Sequence, residues 1–143
     1  MTREEIEQLD DQGIAAWDNH DAEAFVSMLA DDFALYDWSV PEPIRDKEAA
    51  RQYFTGWMTA FPDMHVKQLQ RLVDGDSVAA ELEFAGTNTG PMAMGGNEIP
   101  PTNKSIVGRG TYFARASGGK IVEFRSHPDI AGMMMQLGFM PPM

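Results

Sequence analysis

The residues best equipped for chemistry in this chain gather in its last third and at one early strand end. His127-Pro128-Asp129 sets a histidine two residues from a carboxylate. In such a pair the acid orients the imidazole and the imidazole serves as general base. The same tripeptide equally suits a turn, with Pro128 fixing the backbone and Asp129 capping a following helix. Tyr112 shares a strand face with Gly108 and Gly110. Two small neighbours leave room for a guest, whose carbonyl or enolate oxygen the phenol can hold. The other reading is a packed core tyrosine with its hydroxyl at the rim. Asp37 stands beside Trp38, where burial against indole would desolvate the carboxylate and make it a stronger base; in a hydrated loop it would stay inert. Asn88 closes an alternating strand. It can bond a ligand carbonyl without titrating, or form an Asx turn. An inward Arg109 would imply an anionic or carbonyl substrate, whereas an outward one pairs across the sheet with Glu81 or Glu123. Trp17, Trp38, Phe54, Trp57 and Phe84 are either plain core or the walls of a cavity for a flat or hydrophobic ligand.

Composition narrows the field. The 143 residues carry 22 acidic against 11 basic side chains, a net charge of -11. That field repels nucleic acid and anionic membranes and gives no support to a phosphate-rich ligand. Apolar content of 43% with 10% aromatics suits one globular domain over 1–143. There is no cysteine, which excludes disulfides, thiolate catalysis and cysteine-ligated metal. His20, His65 and His127 form no i, i+4 pair and no HExxH, so no metal is expected. The charged start Met1-Thr2-Arg3-Glu4-Glu5 lacks an apolar h-region, and no apolar run reaches a membrane span. A cytoplasmic protein is the expectation.

The elements that must position these residues follow from periodicity. Ile6, Leu9, Gly13, Ala16 and Trp17 recur at helical spacing over 3–19. Asn19 or Asp21 caps a second short helix, and 33–38 reads as a strand. Asp46 opens the clearest helix, whose stripe of Ala50, Tyr53, Phe54, Trp57, Met58 and Phe61 must bury against something. Pro62 ends it. Val66–Val73 reads as a strand, and Val78–Thr87 alternates with Val78, Ala80, Leu82 and Phe84 on one face. Residues 89–105 read as a long loop suited to a lid. Ile106–Ala116 and Ile121–Ser126 flank a Ser117-Gly118-Gly119 turn. Ile130–Leu137 closes the chain as a helix stopped by Gly138. The methionines Met133, Met134, Met135, Met140 and Met143 are suited to plugging a cavity mouth or packing on a second subunit. With helices first and strands last, the class is α+β: a curved, mostly antiparallel sheet wrapped around the long helix.

The order of Ala30-Asp31-Asp32-Phe33, Tyr36-Asp37, Ala60-Phe61-Pro62-Asp63, the Gly86-Thr87-Asn88-Thr89-Gly90 run, Ile99-Pro100-Pro101-Thr102 and Gly119-Lys120-Ile121-Val122-Glu123 resembles the SnoaL-like polyketide cyclases and ester cyclases. These share a cone with nuclear transport factor two and ketosteroid isomerase. The resemblance implies a hydrophobic cavity, acid–base residues without metal or cofactor, and a homodimer. Relatives carry histidine where this chain has Asn88, and His-Trp-acid where it has Phe124, Arg125 and Ser126. Asn88, Phe124 and Ser126 therefore stand where the family's site residues would be, and none titrates near neutral pH.

The expected function is cofactor-independent proton transfer on an apolar or aromatic carbonyl compound, as cyclase or isomerase. His127, Asp129 or Asp37 would be the base, and Tyr112 with Asn88 the oxygen donors. Two alternatives stand beside it. One is a binding protein that keeps the cavity without catalysis. The other is an epoxide or ester hydrolase, which requires Asp37, Arg109 and Asp129 to converge.

Overall fold

The computed structural model describes residues 1–37, 40–94 and 96–141. Helix α1 (Arg3–Asp18) opens on a capping box: the Thr2 side chain accepts from the Glu5 amide and the Glu5 carboxylate accepts from the Thr2 amide. Helix α2 (Ala22–Ser27) is capped by Asp21, and α3 (Lys47–Ala60) by Asp46, whose carboxylate accepts from the Ala49 amide. Strand β1 (Leu29–Asp37) lies between α2 and α3. After α3 come β2 (His65–Asp74), β3 (Ser77–Thr87), β4 (Met92–Met94), β5 (Asn97–Ile99), β6 (Ser105–Ser117) and β7 (Lys120–Pro128), then α4 (Ile130–Leu137). Gly138 takes the left-handed conformation that ends α4 (φ 87°).

The main sheet runs in the order β1-β7-β6-β3-β2, antiparallel except where β1 lies parallel to β7. The expected α+β class therefore stands, as a mixed curved sheet with helices against it. The expected loop over 89–105 differs: it contains the hairpin β4–β5. Three-residue strands are too short to show an alternation, so composition hid them.

Strand β6 is the ruler of the structure. Its residues alternate strictly, with Ile106, Gly108, Tyr112, Ala114 and Ala116 buried and Val107, Arg109, Thr111, Phe113 and Arg115 exposed. It joins β7 through Gly118 (φ 59°) and Gly119 (φ 84°), a pair of left-handed positions that favours glycine twice. The register is Ala114↔Phe124, Tyr112↔Ser126 and Thr111↔His127, with its irregularity confined to the hairpin end at Arg115/Ala116. Phe124, Ser126 and Pro128 consequently face inward with Tyr112, and Glu123, Arg125 and His127 face outward.

The interior divides in two. One cluster, including Leu9, Phe25, Phe33, Phe54 and Tyr112, gathers where α1, α2 and α3 meet the sheet. The other surrounds Phe61, Met64, Phe84 and Ile106 and takes in Met133 and Met134 of α4. Those two methionines are thus core; Met140 is exposed, and Met143 lies outside the described residues. No described helix is long and apolar enough to cross a membrane.

Candidate functional site

A chamber of about 110 Å³ lies where the two clusters meet. Helix α1 supplies Leu9, Gly13 and Trp17, helix α3 supplies Tyr53 and Trp57, and the sheet supplies Phe84, Tyr112 and Phe124. The rings brace one another. Trp17 meets Tyr53 edge-on at 6.2 Å, Trp57 meets Phe84 at 6.1 Å, and Tyr112 stacks on Phe124 at 5.4 Å. Phe54 stands one layer back: it is fully buried, 4.3 Å from Trp17, and does not line the chamber. Gly110 lines the chamber, but the space over Gly108 is taken by the Phe84 ring, not left for a guest. Trp38 lies outside the described residues.

Two polar groups break this hydrocarbon wall. At one, Tyr112 donates to Oδ1 of Asp10 at 2.7 Å, while Gln68 Nε2 donates to Oδ2 of Asp10 at 2.7 Å and to the Tyr112 oxygen at 2.9 Å. Arg71 adds a bond to Asp10 at 3.2 Å and shares its guanidinium with Asp11 and Glu7. Burial, and then the charge of Asp10, push the Tyr112 hydroxyl well above the usual phenol range. Its proton is committed to Asp10, so in this geometry Tyr112 offers a guest only lone-pair capacity. That removes the basis for treating it as an oxygen donor.

At the other group, Tyr53 donates to Oδ2 of the buried Asp37. The Trp57 and Ser126 side chains line the chamber beside Tyr53. Burial first, and Asp37 second, raise the Tyr53 hydroxyl far above its ordinary range, which keeps the phenol protonated. Asp37 itself is only 4% exposed and ends β1 in the interior, not in a hydrated loop. Tyr53, Trp57 and Ser126 face the chamber; Asp37 sits directly behind Tyr53.

The remaining residues singled out from sequence lie elsewhere. His127 is on the outer face, its ring edge-on to Phe113 at 5.9 Å. Asp129 caps α4, accepting from the Gly132 amide at 2.8 Å, so the His-Pro-Asp tripeptide is a turn and neither residue reaches the chamber. Arg109 is exposed and faces Glu81 at 4.0 Å. Asn88 has no exposed surface: Nδ2 donates to the carbonyls of Ala60 (3.0 Å) and Gly90 (2.9 Å), and Oδ1 accepts from the Thr102 amide (2.8 Å) and hydroxyl (2.9 Å). All its bonding capacity goes to tying the end of α3 to the segments at Gly90 and Thr102, leaving none for a ligand. With Arg109 outside, Asp129 in a cap and Asp37 inside, the cluster that a hydrolase reading requires is not assembled. Among the described residues no three His, Asp or Glu side chains converge as a metal site.

Sequence reasoning missed Asp10, Gln68, Arg71 and the site role of Tyr53. Asp10 did carry a signal: it sits four residues after Ile6 and seven before Trp17, on the apolar stripe of α1. A charged residue on a buried stripe must have partners, and Gln68 and Arg71 of β2 are those partners.

Residues 7–137 match the model of the SnoaL-like polyketide cyclase family. Among solved structures, AclR from Streptomyces galilaeus is similar at 20% identity, covering 99% of this chain and 86% of that one, with a TM-score of 0.84. TsrD from Streptomyces laurentii is similar at 21% identity over 98% and 99% of the two chains, TM-score 0.82. A protein of ketosteroid isomerase-like fold from Catenulispora acidiphila, in complex with trimethylamine, is similar at 16% identity over 92% and 93%, TM-score 0.76. No functionally curated sequence matches significantly.

Proposed function

This chain belongs to the SnoaL-like polyketide cyclase family, and on that premise we propose that it is a small-molecule enzyme catalysing cofactor-independent proton transfer next to a carbonyl group, as isomerase or cyclase. The observation that carries this reading is a buried carboxylate, Asp37, hydrogen-bonded to a phenol that faces an apolar chamber, Tyr53. In the proposed step a substrate C–H bond alpha to the carbonyl breaks and its electron pair moves into the enolate. The proton arrives on the Tyr53 oxygen as the phenolic proton passes to Asp37. Reversing the relay onto a different carbon gives isomerisation; attack of the enolate carbon on a second carbonyl gives ring closure, with the relay returning its proton through Tyr53 to the alkoxide that forms. The dry, aromatic wall keeps water from competing for the carboxylate. Trimethylamine in the Catenulispora acidiphila protein supports a compact guest for a cone of this kind.

The test is deuterium exchange into a compact ketone such as cyclopentanone, followed by proton NMR. The wild type should accelerate loss of the alpha protons over buffer. Tyr53→Phe and Asp37→Asn should each lose about 10²-fold or more of that acceleration, while His127→Ala leaves it unchanged. Equal exchange by wild type and both relay variants would remove the assignment.

A second reading, capture without turnover, draws on Tyr112, whose proton is held by Asp10 and is not free for an enolate oxygen. A co-purified ligand that native mass spectrometry finds unaltered after incubation would favour it. The outer sheet face is the proposed homodimer surface. It exposes Phe113 (50%), Val107 (56%) and Leu72 (63%) beside Glu81 and Arg109, an apolar patch with both charges at its border.

A further inference from the structure

The chamber can receive positive charge and offers none. Asp10 is the single charged residue on its described lining, and no Lys, Arg or His joins it. The phenol protons at its polar spots are already spent: Tyr112 donates to Asp10 and Tyr53 donates to Asp37. An entering molecule therefore meets lone pairs, the π faces of Trp17, Trp57, Phe84 and Phe124, and carboxylates behind both tyrosines. Aromatic faces and carboxylates together attract a cation and repel an anion. Arg71 does not reverse this sign, because its guanidinium is divided among Asp10, Asp11 and Glu7. At long range the net charge of -11 draws in cations as well.

We infer that the molecule this chamber takes carries its own positive charge: a compact organic ammonium, and as a substrate an amino ketone. The inference rests on the reading of this chamber as the ligand site. It deepens that reading by supplying what the chamber lacks. An enolate formed beside Tyr53 is stabilised further by a neighbouring positive charge, and with no cation in the wall the substrate's ammonium provides it. The chamber of about 110 Å³ is smaller than the roughly 150 Å³ engineered cavity that holds benzene. A single compact group fits; a fused polycycle does not.

The test is calorimetric titration of the whole protein with three molecules of one shape: tert-butylammonium, tert-butanol and pivalate. The ammonium should bind at least about tenfold tighter than the alcohol, a difference of ~1.4 kcal/mol, and pivalate should not bind. Asp37→Asn and, separately, Asp10→Asn should each weaken the ammonium while leaving tert-butanol unchanged; the second variant guards against misfolding of the first. Alcohol binding equal to or tighter than ammonium binding, or any binding of pivalate, overturns the inference while leaving the chamber as a ligand site. Failure of all three to bind overturns both. Ammonium binding combined with no deuterium exchange would sink the proposed chemistry and spare the charge preference.

Discussion

Removing the Tyr112 hydroxyl tests whether that proton belongs to the scaffold or to a guest. Tyr112→Phe deletes one oxygen and leaves Oδ1 of Asp10, a carboxylate only 8% exposed, without its donor at 2.7 Å. A hydrogen bond to a charged group contributes about 1.5–3 kcal/mol, and a buried acceptor left unsatisfied costs in the same range. The complementary variant, Asp10→Ala, strands the Tyr112 hydroxyl and frees Gln68 and Arg71 from their shared acceptor. Arg71 still holds Asp11 at 2.7 Å, so this loss too should stay near 2–3 kcal/mol. Once either partner is gone the bond between them cannot be lost a second time, although Asp10 keeps Gln68 and Arg71 and Tyr112 keeps Gln68. The double variant should therefore fall short of the sum by a coupling of about 1–3 kcal/mol. Equilibrium urea unfolding at 25 °C reads this directly: with m near 1–3 kcal/mol/M, each single variant shifts the midpoint by roughly 1 M at constant m. Strict additivity, or a Tyr112→Phe midpoint within error of wild type, would refute the bond and return the hydroxyl to the ligand.

Three further outcomes follow from the same geometry. Asn88→Ala removes four bonds from a site with no exposed surface and should cost ~3 kcal/mol or more by urea unfolding. Gly108→Ala places a methyl 2.5 Å from the Phe84 ring, which must swing toward the chamber; stability should fall by about 1–3 kcal/mol and tert-butylammonium binding should weaken with it. Asp18 and Asp63 are held below the ordinary carboxylate value of 3.8, chiefly by the amides of Val66 and Thr87. Their stabilisation is full above that value and disappears as pH falls through their lowered native values. The urea midpoint should drop from pH 5 to pH 3, and less steeply in Asp18→Asn and Asp63→Asn.

How much the sequence disclosed depended on whether a local period decided the question. The β6 face was legible because alternation from Ile106 to Ala116 admits one burial pattern. Helix α3 was legible from its wide stripe and its Asp46 cap. The site was legible in its walls and not in its polar residues. Ser126 and His127 are neighbours on a strand, so only one can face inward. The pairing of Ser126 with Tyr112 gave it to the serine, and that pairing is a tertiary fact. Asn88 looked like a ligand donor because two of its partners, Ala60 and Thr102, lie far from it in the chain. Tyr53 was counted among the apolar stripe of α3. Its hydroxyl gained meaning only when β1 delivered Asp37 to it. Asp10 was missed although its place on the apolar stripe of α1 offered a signal.

Both the proposed chemistry and the charge preference need an empty space among Trp17, Trp57, Phe84 and Tyr112. Crystals of the protein pressurised with xenon measure that space without assuming a substrate. An anomalous xenon peak is expected between those four side chains, lost when Gly13→Leu, whose added Cβ meets only the flexible end of Met28 at 3.3 Å, fills the void. A fully packed interior, with no xenon at that position in the wild type, would contradict it.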